Sequence, residues 1–493
     1  MRMRAAAEKS RRPQVKAVSN TGVPHGGLHP LTHREENRLL FEYEERSKQA
    51  FDRIEPVLKQ IAQHQHDSDF VAVAQRIAMD ELGFELPEEM IGNTWIAPLN
   101  MRALYAWCVF KTFERYANEF YADRPLRKDE VEYQQFLEEC GFHLMDVSPC
   151  ADGRLAHIIR YVLRLPHDVV RRRSYAGAMF DVEDSLQKWI EIEFSRQREA
   201  KPNAIDEPTR YLKTAVYHYS QSKPDSEGCA AHGSNALKAA EEALGRLLDF
   251  QQAVENSFCC GASIDLLLIG IDTDSDAIRV HIPDAKGYVD VENYIDAREV
   301  YDATLHAASE SGELFIRELV VQLAEAQDTK VLPGMARLIA RLLLNNISQI
   351  DYVRSYYRGC YEDIGHYERF IGMGVGFEEV QLRNLTYFAY LKTVEEAARD
   401  IDVGMKIFTG LNIIRGLPVP VVIRYDYHGD VPGARARAVA HCERLQDAML
   451  SRFPKQANEG FLHAMLVVRD VSSDESIEVV GGTLANEISG SSH

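Results

Sequence analysis

The spacing of apolar residues changes near residue 141, and that change divides the chain. Over 31–125 the pattern is helical. HREENRLLFEYEERSKQAFDRIEPVLKQIAQ sets Leu39, Leu40, Tyr43, Phe51, Ile54 and Leu58 near helical spacing with charges between them, which predicts amphipathic helices. From 141 the pattern shortens. GFHLMDVSPC predicts a buried strand ending at Ser148-Pro149-Cys150, and LAHIIRYVLRL predicts an amphipathic helix after it. RYLKTAVYHYS, 210–220, predicts a second strand. The turn-rich SQSKPDSEG follows, and then a long helix from near Cys229 through ALKAAEEALGRLLDFQQAVENSF. SIDLLLIGID predicts a third strand, and AIRVHIP, beyond the turn DTDSD, its hairpin partner. Strands alternating with long helices specify an α/β layer with a largely parallel sheet, whose sites lie at the carboxyl ends of the strands.

From about 372 a second α/β pattern begins. EEVQLRNLTYFAYLK predicts a helix, PVPVVIRYDY a strand, GARARAVAHCERLQDAMLSRF a helix and FLHAMLVVRD a strand. Tyr425-Asp426-Tyr427 echoes Tyr217-His218-Tyr219 at a predicted strand end, with Asp426 where the first unit has a histidine.

Composition narrows the function classes. The 493 residues are 45% hydrophobic and 27% charged, with a net charge of −19, which suits a globular body of several domains and argues against nucleic acid as a partner. The longest apolar run, Ile264–Ile271, is strand-sized, so no membrane span is expected. Residues 1–30 differ from the body. They carry Arg2, Arg4, Lys9, Arg11, Arg12 and Lys16 against Glu8, then SNTGVPHGGLHP, with no apolar core of a secretory signal. The expectation is a disordered basic tail, either solubilising or docking on an acidic partner.

Eight cysteines, at 108, 140, 150, 229, 259, 260, 360 and 442, are too sparse for a disulfide framework. The sharpest local feature is Cys150-Ala151-Asp152-Gly153-Arg154, where a strand gives way to a helix. His218 ends another predicted strand and Cys229 opens a predicted helix, so the three converge on one crevice of a doubly wound sheet. Cysteine, histidine and cysteine form a soft donor set suited to zinc, with a fourth position left for water or substrate. His232 competes with His218 on spacing, and Cys259 and Cys260 are further candidates. A metal-free hydrolase using Cys229 with His232, and a structural zinc protein, are the rival readings. Arg171-Arg172-Arg173 is either a solvated helix face or an anion site.

CADGR resembles the Cys-x-Asp-Ser-Arg signature of β-class carbonic anhydrases, with Gly153 in place of the serine. SPCADGRL, CAAHGSN, FCCGASIDLLLIGIDTD and DIGHYERF are similar to the carboxysome shell carbonic anhydrase family, a divergent branch of that class. The resemblance implies one zinc per chain on Cys150, His218 and Cys229, with Asp152 and Arg154 as a dyad beside it. The long separation of His218 from Cys229 is that of the shell branch. His366, in DIGHYERF, is a candidate for proton transfer or for a bond near the site. The implied fold is an N-terminal helical domain, a β-carbonic-anhydrase-like α/β catalytic domain and a degenerate C-terminal α/β repeat lacking zinc ligands. The expected bounds are 1–30 for the tail, 31–125 for the helices, 126–371 for the catalytic domain and 372–493 for the repeat. The resemblance further implies a homodimer or an assembly of dimers, on the inner side of the carboxysome shell in the bacterial cytoplasm. There it converts bicarbonate to carbon dioxide for Rubisco. The tail becomes a candidate tether to Rubisco, scaffold or shell proteins, and a phosphorylated metabolite a candidate effector.

Overall fold

The computed structural model describes residues 29–94, 97–123, 130–166, 170–198, 210–258, 263–284, 286–326, 330–374, 376–389, 398–473 and 476–484. The expected basic tail, apart from His29 and Pro30, lies outside the described residues, as does the Cys259-Cys260 pair.

Two sheets organise the molecule. The first has strands β1 (Leu144–Pro149), β2 (Val170–Arg172), β3 (Arg210–Tyr219), β4 (Ser263–Asp272), β5 (Ile278–His281) and β6 (Tyr294–Asp296), in the order β2-β1-β3-β4-β5-β6. Its first four strands in that order run parallel, and β5 turns back on β4 as the hairpin that the alternation of AIRVHIP predicts. The second has β7 (Phe370–Gly374), β8 (Thr386–Ala389), β9 (Val419–Tyr427), β10 (Leu462–Asp470) and β11 (Glu478–Gly482), in the order β11-β10-β9-β7-β8. Here one pair among the described strands, β10 with β11 at one edge, is antiparallel. β7 straddles the 371/372 boundary drawn from the sequence.

The helices of the N-terminal region supply a layer that the second sheet otherwise lacks. Arg34–Asp52 buries Leu40, Tyr43 and Phe51 along one stripe, while Leu39, placed on that stripe by the sequence, is exposed. Phe51 stacks on Phe370 of β7 and Phe113 meets it edge to face, within one apolar cluster that takes in Val422 of β9 and Val467 of β10. The opposite face of that sheet is covered by Ala398–Leu411 and Ala434–Arg452. The first sheet is buried under Ala236–Phe258 and Pro333–Tyr357.

Three predicted helices come out differently. LAHIIRYVLRL is not amphipathic in its setting. Leu155, Ile158, Ile159, Val162 and Leu163 are all fully buried, and the chain makes a 3-10 turn, Gly153–Leu155, then a π-helical turn, Ile158–Val162. Such irregular turns concentrate near functional sites. EEVQLRNLTYFAYLK becomes a 3-10 turn, Glu378–Val380, and strand β8. Its polar side chains Arg383 and Asn384 are consumed by tertiary hydrogen bonds to Asp363, which override helix propensity. The helix expected from Cys229 begins only at Ala236, because Cys229 precedes a 3-10 turn, Ala230–His232. Among the described residues no helix is long and apolar enough to cross a membrane.

Candidate metal centre

Strand β1 ends at Pro149, but the chain stays tied to its neighbours for two more residues. The Cys150 N–H donates to Val216 O (3.1 Å) and the Ala151 N–H to Tyr175 O (3.0 Å). Cys150 is thereby delivered at a sheet end beside His218, the penultimate residue of β3. Cys229 arrives from the loop after β3. Its sulfur sits where the backbone N–H groups of Ala231 and His232 can donate to it. The two sulfurs are 3.9 Å apart. Ligand atoms of Cys150, His218 and Cys229 all lie within 4.8 Å of one another, and all three residues are buried.

The donor chemistry fits a soft divalent metal. His218 is 0% exposed, and neither ring nitrogen has a hydrogen-bond partner among the described residues. An unsatisfied buried polar group costs about 1–3 kcal/mol, so an imidazole left so between two sulfurs is a ligand in waiting. The thiols titrate as a pair. Donating to Cys229, and then burial, push Cys150 well up, while the same hydrogen bond holds Cys229 below its ordinary value. Two sulfurs and one imidazole form a zinc set with one open corner.

Beside that corner lies a charged group. Arg154 grips Asp152 through Nε (2.9 Å) and Nη2 (2.6 Å), and its own N–H donates back to Asp152 Oδ1 at 3.0 Å. Burial opposes ionisation of Asp152, but Arg154, then His366 and His218, outweigh it and hold the carboxyl well below its usual range. Arg154 also donates to the carbonyls of Glu227 and Ile364, which fixes the plane of the guanidinium. Asp152 Oδ2 lies 3.5 Å from His218 Nε2 and 3.8 Å from His366 Nε2. His366 Nδ1 meets Glu368 Oε1 at 2.9 Å. Burial would discharge this imidazole, yet Glu368 and Asp152 raise it to about 9.

The structure thus gathers Cys150, Asp152, Arg154, His218, Cys229 and His366, and places His232 and the arginine run elsewhere. His232 Nε2 donates to Gly177 O at 3.1 Å. The arginine run is neither a helix face nor an open anion site. Arg171 bridges Asp146 and Asp184, Arg173 pairs with Asp184, and Arg172 donates to Ala156 O. Burial pulls Arg172 down to about 10.

Glu368 is the main residue that sequence reasoning missed. Besides holding His366, it accepts the Gly153 N–H at 3.1 Å. It also explains the missing serine. A Cβ on Gly153 would run into the Glu368 side chain. The only sequence signal was position, since Glu368 follows His366 by two. Asn384 and Phe388 of the second unit, whose N–H groups donate to Gly153 O and Ala151 O, gave none.

Comparison with known proteins places the chain in one family. The family described as Carboxysome Shell Carbonic Anhydrase matches by its N-terminal region over 29–121, its catalytic domain over 132–366 and its C-terminal region over 367–484. A carboxysome shell carbonic anhydrase of Prochlorococcus marinus (strain MIT 9313) is 50% identical over 480 residues, covering 96% of this chain and 92% of the relative. One from Parasynechococcus marenigrum (strain WH8102) is 51% identical, covering 93% and 79%. One from Halothiobacillus neapolitanus (strain ATCC 23641 / c2) is 45% identical, covering 92% and 90%. With a buried Cys-His-Cys group that can hold a metal and three consecutive family regions along its length, the chain belongs to the carboxysome shell carbonic anhydrase family.

Proposed function

We propose that this carbonic anhydrase works with one zinc ion held by Cys150, His218 and Cys229, and that it supplies carbon dioxide from bicarbonate to Rubisco inside the carboxysome. The observation that carries the reading is the buried imidazole of His218, without a hydrogen-bond partner among the described residues and within 4.8 Å of two cysteine sulfurs. Zinc bound there supplies the Lewis acidity that makes water nucleophilic near neutral pH.

The chain's own residues do the rest. Asp152, kept ionised by Arg154, accepts a hydrogen bond from the attacking water and so aims its lone pair at the carbon of carbon dioxide, the proton released on hydration passing to buffer and being taken back from buffer when bicarbonate is dehydrated. Arg154 fixes the orientation of that carboxylate through hydrogen bonds to both of its oxygens. His366, raised to about 9, is cationic near neutrality. It therefore suits holding the negative charge of bicarbonate better than shuttling a proton, which needs a group that changes state near the working pH. Burial of Cys150, Asp152 and Arg154 keeps bulk water from competing for these contacts.

Partner readings follow the same line. The basic 1–30 segment would recruit an acidic surface of Rubisco, a scaffold or a shell protein, and a homodimer is the expected assembly. Elemental analysis should find one zinc per chain. Stopped-flow carbon dioxide hydration should vanish when the metal is stripped and return when zinc is restored. A metal-free sample with full hydration activity would overturn the proposal.

A further inference from the structure

We infer that Asp400 and His232 are positioning residues for Cys150, acting through one backbone N–H. The inference rests on Cys150 being a metal ligand. The N–H of Gly177 donates to Cys150 Sγ at 3.2 Å. Gly177 sits in a short turn, Ala176–Ala178, with backbone that does not persist unaided. Gly177 has φ +68° and Ala178, with a Cβ, has φ +59°. A left-handed non-glycine residue stores strain and survives only where its surroundings fix it.

Side chains from separate elements do the fixing. Asp400, in the first turn of Ala398–Leu411 in the second unit, accepts the Ala176 N–H at 2.7 Å. His232, just after Cys229, donates to Gly177 O at 3.1 Å. Both residues are buried. A Cβ on Gly177 would stand 2.5 Å from His232 Nε2, so glycine is required by close approach as well as by φ. The peptide is held on both sides, and the result is a single donor aimed at one ligand sulfur. Two thiolates donate much charge and blunt a metal's acidity. A hydrogen bond to one of them withdraws part of that charge. On this reading the ligand-free second unit tunes the centre of the first, and His232 serves the metal from outside its ligand set.

Cobalt-substituted full-length protein tests this. Sulfur-to-cobalt charge-transfer absorption reports the energy of the thiolate lone pair, and competition with a chelator reports metal retention. Asp400→Leu and His232→Leu should each move the band to longer wavelength and weaken retention by about 10–100-fold, the range for groups that orient metal ligands. Asp400→Asn, which still accepts, and His232→Gln, which still donates, should restore both. A band and a retention unchanged in the leucine variants would overturn the inference alone. If the wild-type protein shows no charge-transfer band, the cysteine-ligand reading fails, and the inference with it. Should one leucine variant lose its native circular dichroism, the other decides, because the two side chains come from different elements.

Discussion

The two sheets are one scaffold used twice, with opposite treatment of its strand ends. The order β2-β1-β3-β4-β5 in the first matches β8-β7-β9-β10-β11 in the second, strand direction included. Fine detail repeats as well. Tyr219 pairs with Asp272, and Tyr427 with Asp470. Asp272 accepts the N–H groups of Gln221 and Asp274, and Asp470 those of Gly429 and Ser472, at corresponding positions. The 3-10 turns Gly153–Leu155 and Glu378–Val380 follow β1 and β7 at the same interval.

At the positions of the candidate site the chemistry is replaced. In register, Asp152 corresponds to Phe377, Arg154 to Glu379, Val216 to Arg424 and His218 to Asp426. Arg424 lies buried in the second unit, bonded to Asp426 (2.7 Å), Glu379 (2.8 and 3.0 Å) and Tyr121 (2.9 Å). The same strand end holds an ion pair closed on itself in one copy. In the other it leaves an imidazole unsatisfied. A scaffold of this type tolerates either, and what makes a site is the polar atom that folding does not satisfy.

The largest effects should fall on the open copy. Cys150→Ser and His218→Ala should each lose zinc by elemental analysis and reduce hydration to the buffer background. Full zinc occupancy in His218→Ala would return the ligand role to His232. Asp152→Asn should keep its zinc yet lose about 10²–10⁴-fold in turnover, the range for a positioned proton-transfer group. Retained turnover would remove Asp152 from the reaction. In the closed copy Arg424→Met should leave zinc bound but cost about 3–5 kcal/mol in denaturant unfolding, because Glu379 and Asp426 are left as uncompensated charges. Loss of zinc with stability intact would mean the copies are not divided in this way.

The smallest effect concerns pH. His366 rises from 6.5 to about 9 on folding. Its contribution to stability is therefore full below about pH 6.5 and is lost as pH climbs through about 9. Melting curves of wild-type and His366→Gln protein should differ most near pH 6 and converge above about pH 9. A gap that widens with pH would reverse the sign of this coupling.

Much of this was legible locally. The hairpin of β4 and β5 follows from short alternating runs around DTDSD, and Tyr425-Asp426-Tyr427 does mark the strand end equivalent to Tyr217-His218-Tyr219. The failures share a cause. LAHIIRYVLRL and EEVQLRNLTYFAYLK carry helical periodicity, but the first and the described part of the second, Glu378–Ala389, are enclosed by other elements, which leaves no broad solvent face to make the period matter. Glu368 and Asp400 act on backbone groups hundreds of residues away, at Gly153 and Ala176, and no spacing rule reaches that far.

By itself the sequence determined the donor types, the alternation of strands and helices, and the presence of a second unit with an acid in place of the histidine. Those are short-range properties, set by side-chain chemistry and by periods of a few residues. Only the tertiary structure decided that His232 turns to Gly177 O, that Glu368 fills the space beside Gly153, and that the second unit holds the backbone at Ala151, Gly153 and Ala176. Distances of a few ångströms between residues far apart in the chain depend on strand register and on which buried polar atoms find partners, and both are fixed only when the whole chain packs.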